Sequence, residues 1–340
     1  MISKRMTRGL TLLVGAFVAS VSAAQGVVNV YSARHYPSDD ALYQRFTEQT
    51  GIEVKLLEAK SDELLTRLRS EGSRSPADVF IAVDAARLQR AEEQGIFQPV
   101  SSSELNIDVP ESLRHPEGLW FGLTTRARVI FASRERVDDS VTLDYEDLAT
   151  PEWKGRVLVR SSSNVYNQSL VASMVETVGA DAAEAWCRGI AENFARSPQG
   201  GDTDQIRALA AGEGDVAIAN HYYYMRMLVG SESDRAAAAK VRLIFPNQDD
   251  RGTHINICGA GVVATAPNRA NAVRFIEFLL SEEAQGAFAA GNHEYPVANN
   301  AEPDPTLQKL GDFKADAVNV TALGRNNAEA VKVMDRAGWR

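Results

Sequence analysis

Two cysteines in 340 residues are too few for a disulfide scaffold or a cysteine-rich metal cluster. Glycine and proline stay near their average share, at 24 and 12, which excludes a collagen repeat and a long low-complexity tract. Positive charge is also in short supply. Thirty-six Lys and Arg against 45 Asp and Glu leave a formal charge of −9, without the basic excess of a general nucleic-acid binder. Catalytic signatures are missing too: there is no His-Glu-x-x-His, no Gly-x-Ser-x-Gly and no phosphate-cradling Gly-Lys-Thr. What is present is ordinary core material, 44% hydrophobic, in a chain long enough for two lobes.

Residues 1–24 read as a signal peptide. Lys4, Arg5 and Arg8 precede the apolar run Leu10 to Val21, and the small residues Val21-Ser22-Ala23-Ala24 close it. The run falls short of the ~20 residues a membrane span needs. Removing the three positive charges takes −9 to −12 for the mature chain, expected to be soluble and exported to the periplasm. Export places Cys187 and Cys258 in an oxidising compartment, where pairing would close a loop of about seventy residues. Two buried free thiols are the alternative.

The mature chain alternates β-rich runs with amphipathic stretches. Val27 to Tyr31, Ile52 to Leu56 and Ala77 to Val83 read as strands, separated by helices over Asp40 to Thr50 and Asp62 to Glu71. That order predicts an α/β fold with a mostly parallel sheet flanked by helices, and ligands at the carboxyl ends of the strands. A second α/β set begins near Arg126. It includes the strands Arg156 to Val159 and Asp215 to Ala219, and the helices Gln168 to Val178 and Asp204 to Ala211. Ile255 to Thr265 reads as a strand returning to the first sheet.

Chemistry concentrates after the strands. Asn220-His221-Tyr222-Tyr223-Tyr224 holds three of the nine tyrosines. Whether a strand continues or a helix starts there, the three rings cannot share one core, so at least one phenol faces a cleft or solvent. A phenol is protonated near neutrality, with a reference pKa of about 10, but a hard cation such as Fe(III) stabilises its anion. An aromatic cluster or a stacking platform for an organic ligand is the alternative. Arg34-His35-Tyr36 follows the first strand, and Ser161-Ser162-Ser163-Asn164-Val165-Tyr166 occupies the corresponding place in the second set. Four tyrosinates and one neutral imidazole around Fe(III) carry a single net negative charge, which Arg126 or Arg128 could offset. His115, in an expected surface loop, and His221, His254 and His293 read as structural.

The chain resembles the periplasmic ferric-iron-binding proteins of ABC importers. The shared segments are Glu71 to Phe80, Thr150-Pro151-Glu152-Trp153-Lys154, Asn220-His221-Tyr222-Tyr223, Asn256 to Val262 and Glu294-Tyr295-Pro296-Val297. The resemblance implies a two-lobed type II periplasmic binding fold. The first lobe would be 25–125 plus about 245–300, and the second 126–244 plus about 301–340. It implies no enzyme, but a monomeric carrier that closes on ferric iron, free or chelated, and passes it to an ABC permease and its ATPase. Tyr222 and Tyr223 map to the family's metal-binding pair, leaving Tyr224 outside. One branch adds a carboxylate after the third strand and a bound anion; the matching position here is Val83, with Asp84 beside it. The chain is similar instead to the branch using His35, Tyr36 and Tyr166, with no anion required. Arg126 resembles an arginine that compensates charge beyond the ligands. The competing expectation is a small organic solute (a polyamine, thiamine or a phosphonate) in the same fold.

Overall fold

The computed structural model describes residues 26–34, 36–299 and 301–340. The signal-peptide reading and His35 therefore lie outside the described residues. Among the described residues, nine strands form one continuous sheet: β1 (Gly26–Ser32), β2 (Ile52–Glu58), β3 (Val79–Val83), β4 (Phe121–Ser133), β5 (Val157–Leu158), β6 (Val216–Asn220), β7 (Val241–Ile244), β8 (Ile255–Val262) and β9 (Tyr295–Pro296). The helices that matter for the site are α1 (Pro37–Thr50), α2 (Ser61–Glu71), α3 (Ala85–Glu93), α4 (Ser103–Asp108), α5 (Val165–Val178), α6 (Ala180–Glu192), α7 (Asp202–Ala211) and α8 (His221–Leu228).

Local chemistry explains the first βαβ unit. Val28 and Val30 alternate into the core along β1. Pro37 opens α1 and fixes its first φ, Asp39 and Asp40 favour its N-terminal end, and Leu42, Tyr43 and Phe46 form its buried stripe. Gly51 ends it at φ 71°, a left-handed value that glycine adopts without a Cβ clash. β3 is apolar throughout and buried except at Val83, as a strand covered on both faces must be. β1 pairs in parallel with both β2 and β3, so the expected parallel order holds.

The second set joins through β4. Residues Phe121 to Ala127 pair antiparallel with β8, which itself pairs with β3, while Arg128 to Ser133 pair with β6 and β7. One strand thus runs from one half-sheet into the other. Each half-sheet carries its own core. The first surrounds Val30, Phe46, Phe80 and Phe275. The second surrounds Ile130, Leu148, Trp186, Val216 and Trp339. The C-terminal segment serves both, with Val320 and Leu323 in the first and Val333 and Trp339 in the second.

The cysteine pairing is not formed. Cys187 lies on α6 inside the second core and Cys258 on β8 inside the first, both as buried free thiols. Burial pushes the Cys187 thiol up to about 12. His115 also departs from expectation: it is buried, with Nε2 3.2 Å from Glu92 and its ring edge-on to Trp120.

Candidate metal-binding cleft

Three strand ends deliver the phenols of the site. The loop after β1 is fixed by Arg34, a fully buried guanidinium paired with Asp39 and Glu294 at 2.8 Å each. Its charge lies 5.0 Å from the Tyr36 ring centre. After β5, the helix begins three residues earlier than its apolar pattern suggests. The Asn164 side chain caps α5 by accepting from the Tyr166 amide at 3.1 Å, so Tyr166 belongs to the first helical turn rather than to a loop. After β6 the strand-or-helix question resolves to helix, for α8 starts at His221. Its rings fan out: Tyr222 and Tyr223 lie 4.4 Å apart by ring centres, while Tyr224 turns away to pack on Phe131 at 5.4 Å.

These residues share one cleft of about 240 Å³, lined by Tyr36, Tyr166, Tyr222 and Tyr223 together with Lys60, Arg87 and Arg226. Tyr222 donates to the Tyr166 hydroxyl at 3.3 Å. Two oxygens bound to one ion at about 2 Å each sit about 3 Å apart, so this pair already has the spacing of neighbouring ligands. Burial raises the proton affinity of the Tyr222, Tyr223 and Tyr36 phenols. For Tyr222 and Tyr223, the nearby Tyr166 adds to it, because two phenolates side by side repel. A trivalent ion supplies the charge that reverses this preference.

Behind the phenols lies a layer of guanidinium groups. Arg126, Arg128 and Arg160 stand 5.8, 5.9 and 5.6 Å from the Tyr166 ring centre. Arg128 donates to Asn220 and Asn167, and both Arg128 and Arg160 pair with the fully buried Asp202 at the start of α7. Arg126 is different. It is 1% exposed, its nearest carboxylate is Asp84 at 3.8 Å, and none of its three guanidinium nitrogens has a hydrogen-bond acceptor among the described residues. Burial works against its charge, yet the Asp84 and Glu294 carboxylates keep it protonated.

Asp84 takes no place in the cleft wall. Its carboxylate faces inward, accepting from Ser169 at 3.0 Å and Asn256 at 2.9 Å. His221 and His254 are buried as well. His221 bridges the Ala127 amide and the His293 carbonyl, and burial lowers its pKa to about 4 and that of His254 to about 3. Among the described residues, no three His, Cys, Asp or Glu side chains gather as a metal cluster.

Sequence reasoning missed Arg226, Lys60 and Arg87. Arg226 follows Tyr222 and Tyr223 by four and three positions, one helical turn, which sets its charge 4.9 and 5.9 Å from their ring centres and 5.0 Å from that of Tyr36. That spacing was the available signal. Lys60 and Arg87 carry none, since they reach the cleft only through the packing of α2 and α3.

Two half-sheets sharing crossing strands, with a cleft at the strand ends between their cores, define a two-lobed solute-binding protein. The bacterial extracellular solute-binding protein family matches residues 74–315, and the chain belongs to that family. It is 52% identical to iron uptake protein A1 of Synechocystis over 324 residues, covering 95% of this chain and 90% of that one. A solved structure of the Trichodesmium protein IdiA (FutA), in complex with iron and citrate ligands, superposes with a TM-score of 0.91 at 52% identity. It covers 93% of this chain and 100% of the other. Apo FutA2 from Synechocystis gives a TM-score of 0.89 at 50% identity, covering 92% and 99%.

Proposed function

We propose that the protein captures ferric iron through Tyr36, Tyr166, Tyr222 and Tyr223, with His35 as a fifth ligand, and delivers it to a membrane permease driven by an ATPase. It acts as a monomer in the periplasm after loss of residues 1–24. The convergence of four phenols on one cleft, two of them with oxygens 3.3 Å apart, carries this reading. Hard phenolate oxygen suits Fe(III) better than it suits zinc, which favours His and Cys, or calcium, which favours carboxylates and carbonyls. Loading ionises the phenols and leaves a single net negative charge, beside which stands the Arg126 guanidinium, whose nitrogens have no hydrogen-bond acceptor among the described residues. The relatives' names point the same way: an iron uptake protein and a structure holding iron. A polyamine or thiamine cation fits poorly, because among the described residues the lining carries Lys60, Arg87 and Arg226 and no carboxylate.

The test is the visible absorption spectrum of the purified mature protein before and after ferric citrate. A broad phenolate-to-iron band should appear and vanish with dithionite or a strong chelator. A protein that stays colourless would sink ferric capture by these tyrosines.

A further inference from the structure

We propose that the C-terminal helix (Asn327–Arg336) positions the Tyr166 phenol, its two ends bracketing the loop and the helical turn that carry it. This rests on the ferric reading and adds two positioning residues to it, Trp339 and Gln168.

The phenols differ in how the sheet supports them. Tyr222 and Tyr223 follow β6, a five-residue strand held between β4 and β5. Tyr166 instead follows β5, which is two residues long and ends the sheet path. Within residues 160–164 the backbone bonds to itself once, from the Asn164 amide to the Ser161 carbonyl at 3.1 Å. Side chains supply the rest. The Arg160 carbonyl accepts from Asn167 Nδ2 and from Trp339 Nε1, each at 2.9 Å, which fills both of its lone pairs. The Ser162 carbonyl accepts from Gln168 Nε2 at 3.0 Å, and the Gln168 oxygen accepts in turn from Asn327 at 3.3 Å.

The bracket is rigid. Val333, Met334 and Trp339 are buried in the second core with Leu170 and Val171 of α5. The Trp339 ring centre lies 5.9 Å from those of both Trp186 and Phe194. One packed element therefore meets the chain on both sides of Tyr166, at Arg160 before it and at Gln168 after it. Arg160 carries the effect into the site, because its guanidinium pairs with Asp202 and stands 5.6 Å from the Tyr166 ring centre. Groups that orient a metal ligand act on affinity without touching the ion, since a ligand left loose gives up bond energy. The last residues of the chain thus act on a phenol that follows Arg160, a residue 179 positions from Trp339.

The experiment is a double-mutant cycle on iron affinity, read by competition with a coloured chelator together with the position of the charge-transfer band. Trp339→Phe deletes the Nε1 donor, and Gln168→Met deletes the amide at nearly unchanged length. Each should weaken iron binding about fivefold and shift the band in an otherwise wild-type chain. In a Tyr166→Phe background neither should change the affinity, because the group they position has lost its oxygen. Core volume lost with the indole counts equally in both backgrounds and cancels. Should Trp339→Phe fail to fold, Gln168→Met carries the same comparison. Equal weakening in both backgrounds, or wild-type affinity in both single variants, overturns the inference and leaves ferric capture standing. No band from the wild-type protein overturns ferric capture and this inference with it.

Discussion

Tyr166 shows how much of this site is set by single side chains. Its hydroxyl lies 3.3 Å from that of Tyr222, and three guanidinium groups stand within 6 Å of its ring. Replacing Tyr166 or Tyr223 with Phe removes an oxygen and little volume, so iron affinity should fall by at least about tenfold with the melting temperature of the apo protein nearly unchanged. Competition against a coloured chelator measures it; unchanged affinity in either variant removes that residue from the ligand set. Because burial raises the proton affinity of Tyr36, Tyr222 and Tyr223, each of these three must release a proton on binding iron. Protons should appear in unbuffered solution as iron is taken from an unprotonated donor, and retention should weaken as pH falls. At this scale the tyrosines and Arg126 were legible, since a run of phenols after a strand has few purposes. Lys60, Arg87 and Arg226 were not, because a surface cation has the same sequence signature wherever it points.

At the scale of elements, two helix starts position the phenols. The Asn164 cap sets Tyr166, and the switch from β6 to α8 at Asn220 separates Tyr222 and Tyr223 from Tyr224. Asp202, at the start of α7, holds both junctions. It accepts from the Asn220 amide at 2.9 Å and pairs with Arg128 and Arg160. Asp202→Ala would leave buried guanidinium groups unpaired and should cost about 3 kcal/mol in denaturant unfolding. His221 opens α8 and His254 precedes β8, both buried and neutral. Their pKa values are depressed when folded, so the unfolded chain binds more protons below about pH 6.5 and stability falls with pH from there towards 4. Melting of the apo protein should show this loss beginning above the carboxylate range, and a flat melting temperature between pH 6.5 and 5 would contradict it. Strand and helix order was readable from periodicity, whereas the helix starts depended on caps and buried charges.

Across the whole molecule, β4 and β8 join the half-sheets, and Asp84 fastens them. It caps α3 on the first core, yet accepts from Ser169 on α5, which packs in the second. Its φ of 108° is a left-side value unusual for a residue with a Cβ, held by its bonds to Ser169, Asn256 and the Ala86 amide. Asp84→Ala and Ser169→Ala should both release this contact, and small-angle scattering should find a larger radius of gyration for the apo variants than for wild type. Equal radii would show that the contact does not hold the lobes together.

The sequence by itself determined the α/β class and the parallel order of the first strands, and it picked out the phenols that the fold gathers in one cleft, because periodicity and residue type are local properties. It left open the fate of the cysteines, since sequence separation says nothing about which core a thiol enters. It was equally silent on the inward turn of Asp84 and on the cations that line the cleft. Those depend on which side chains from distant segments meet, and only packing the two cores against the shared strands decided that.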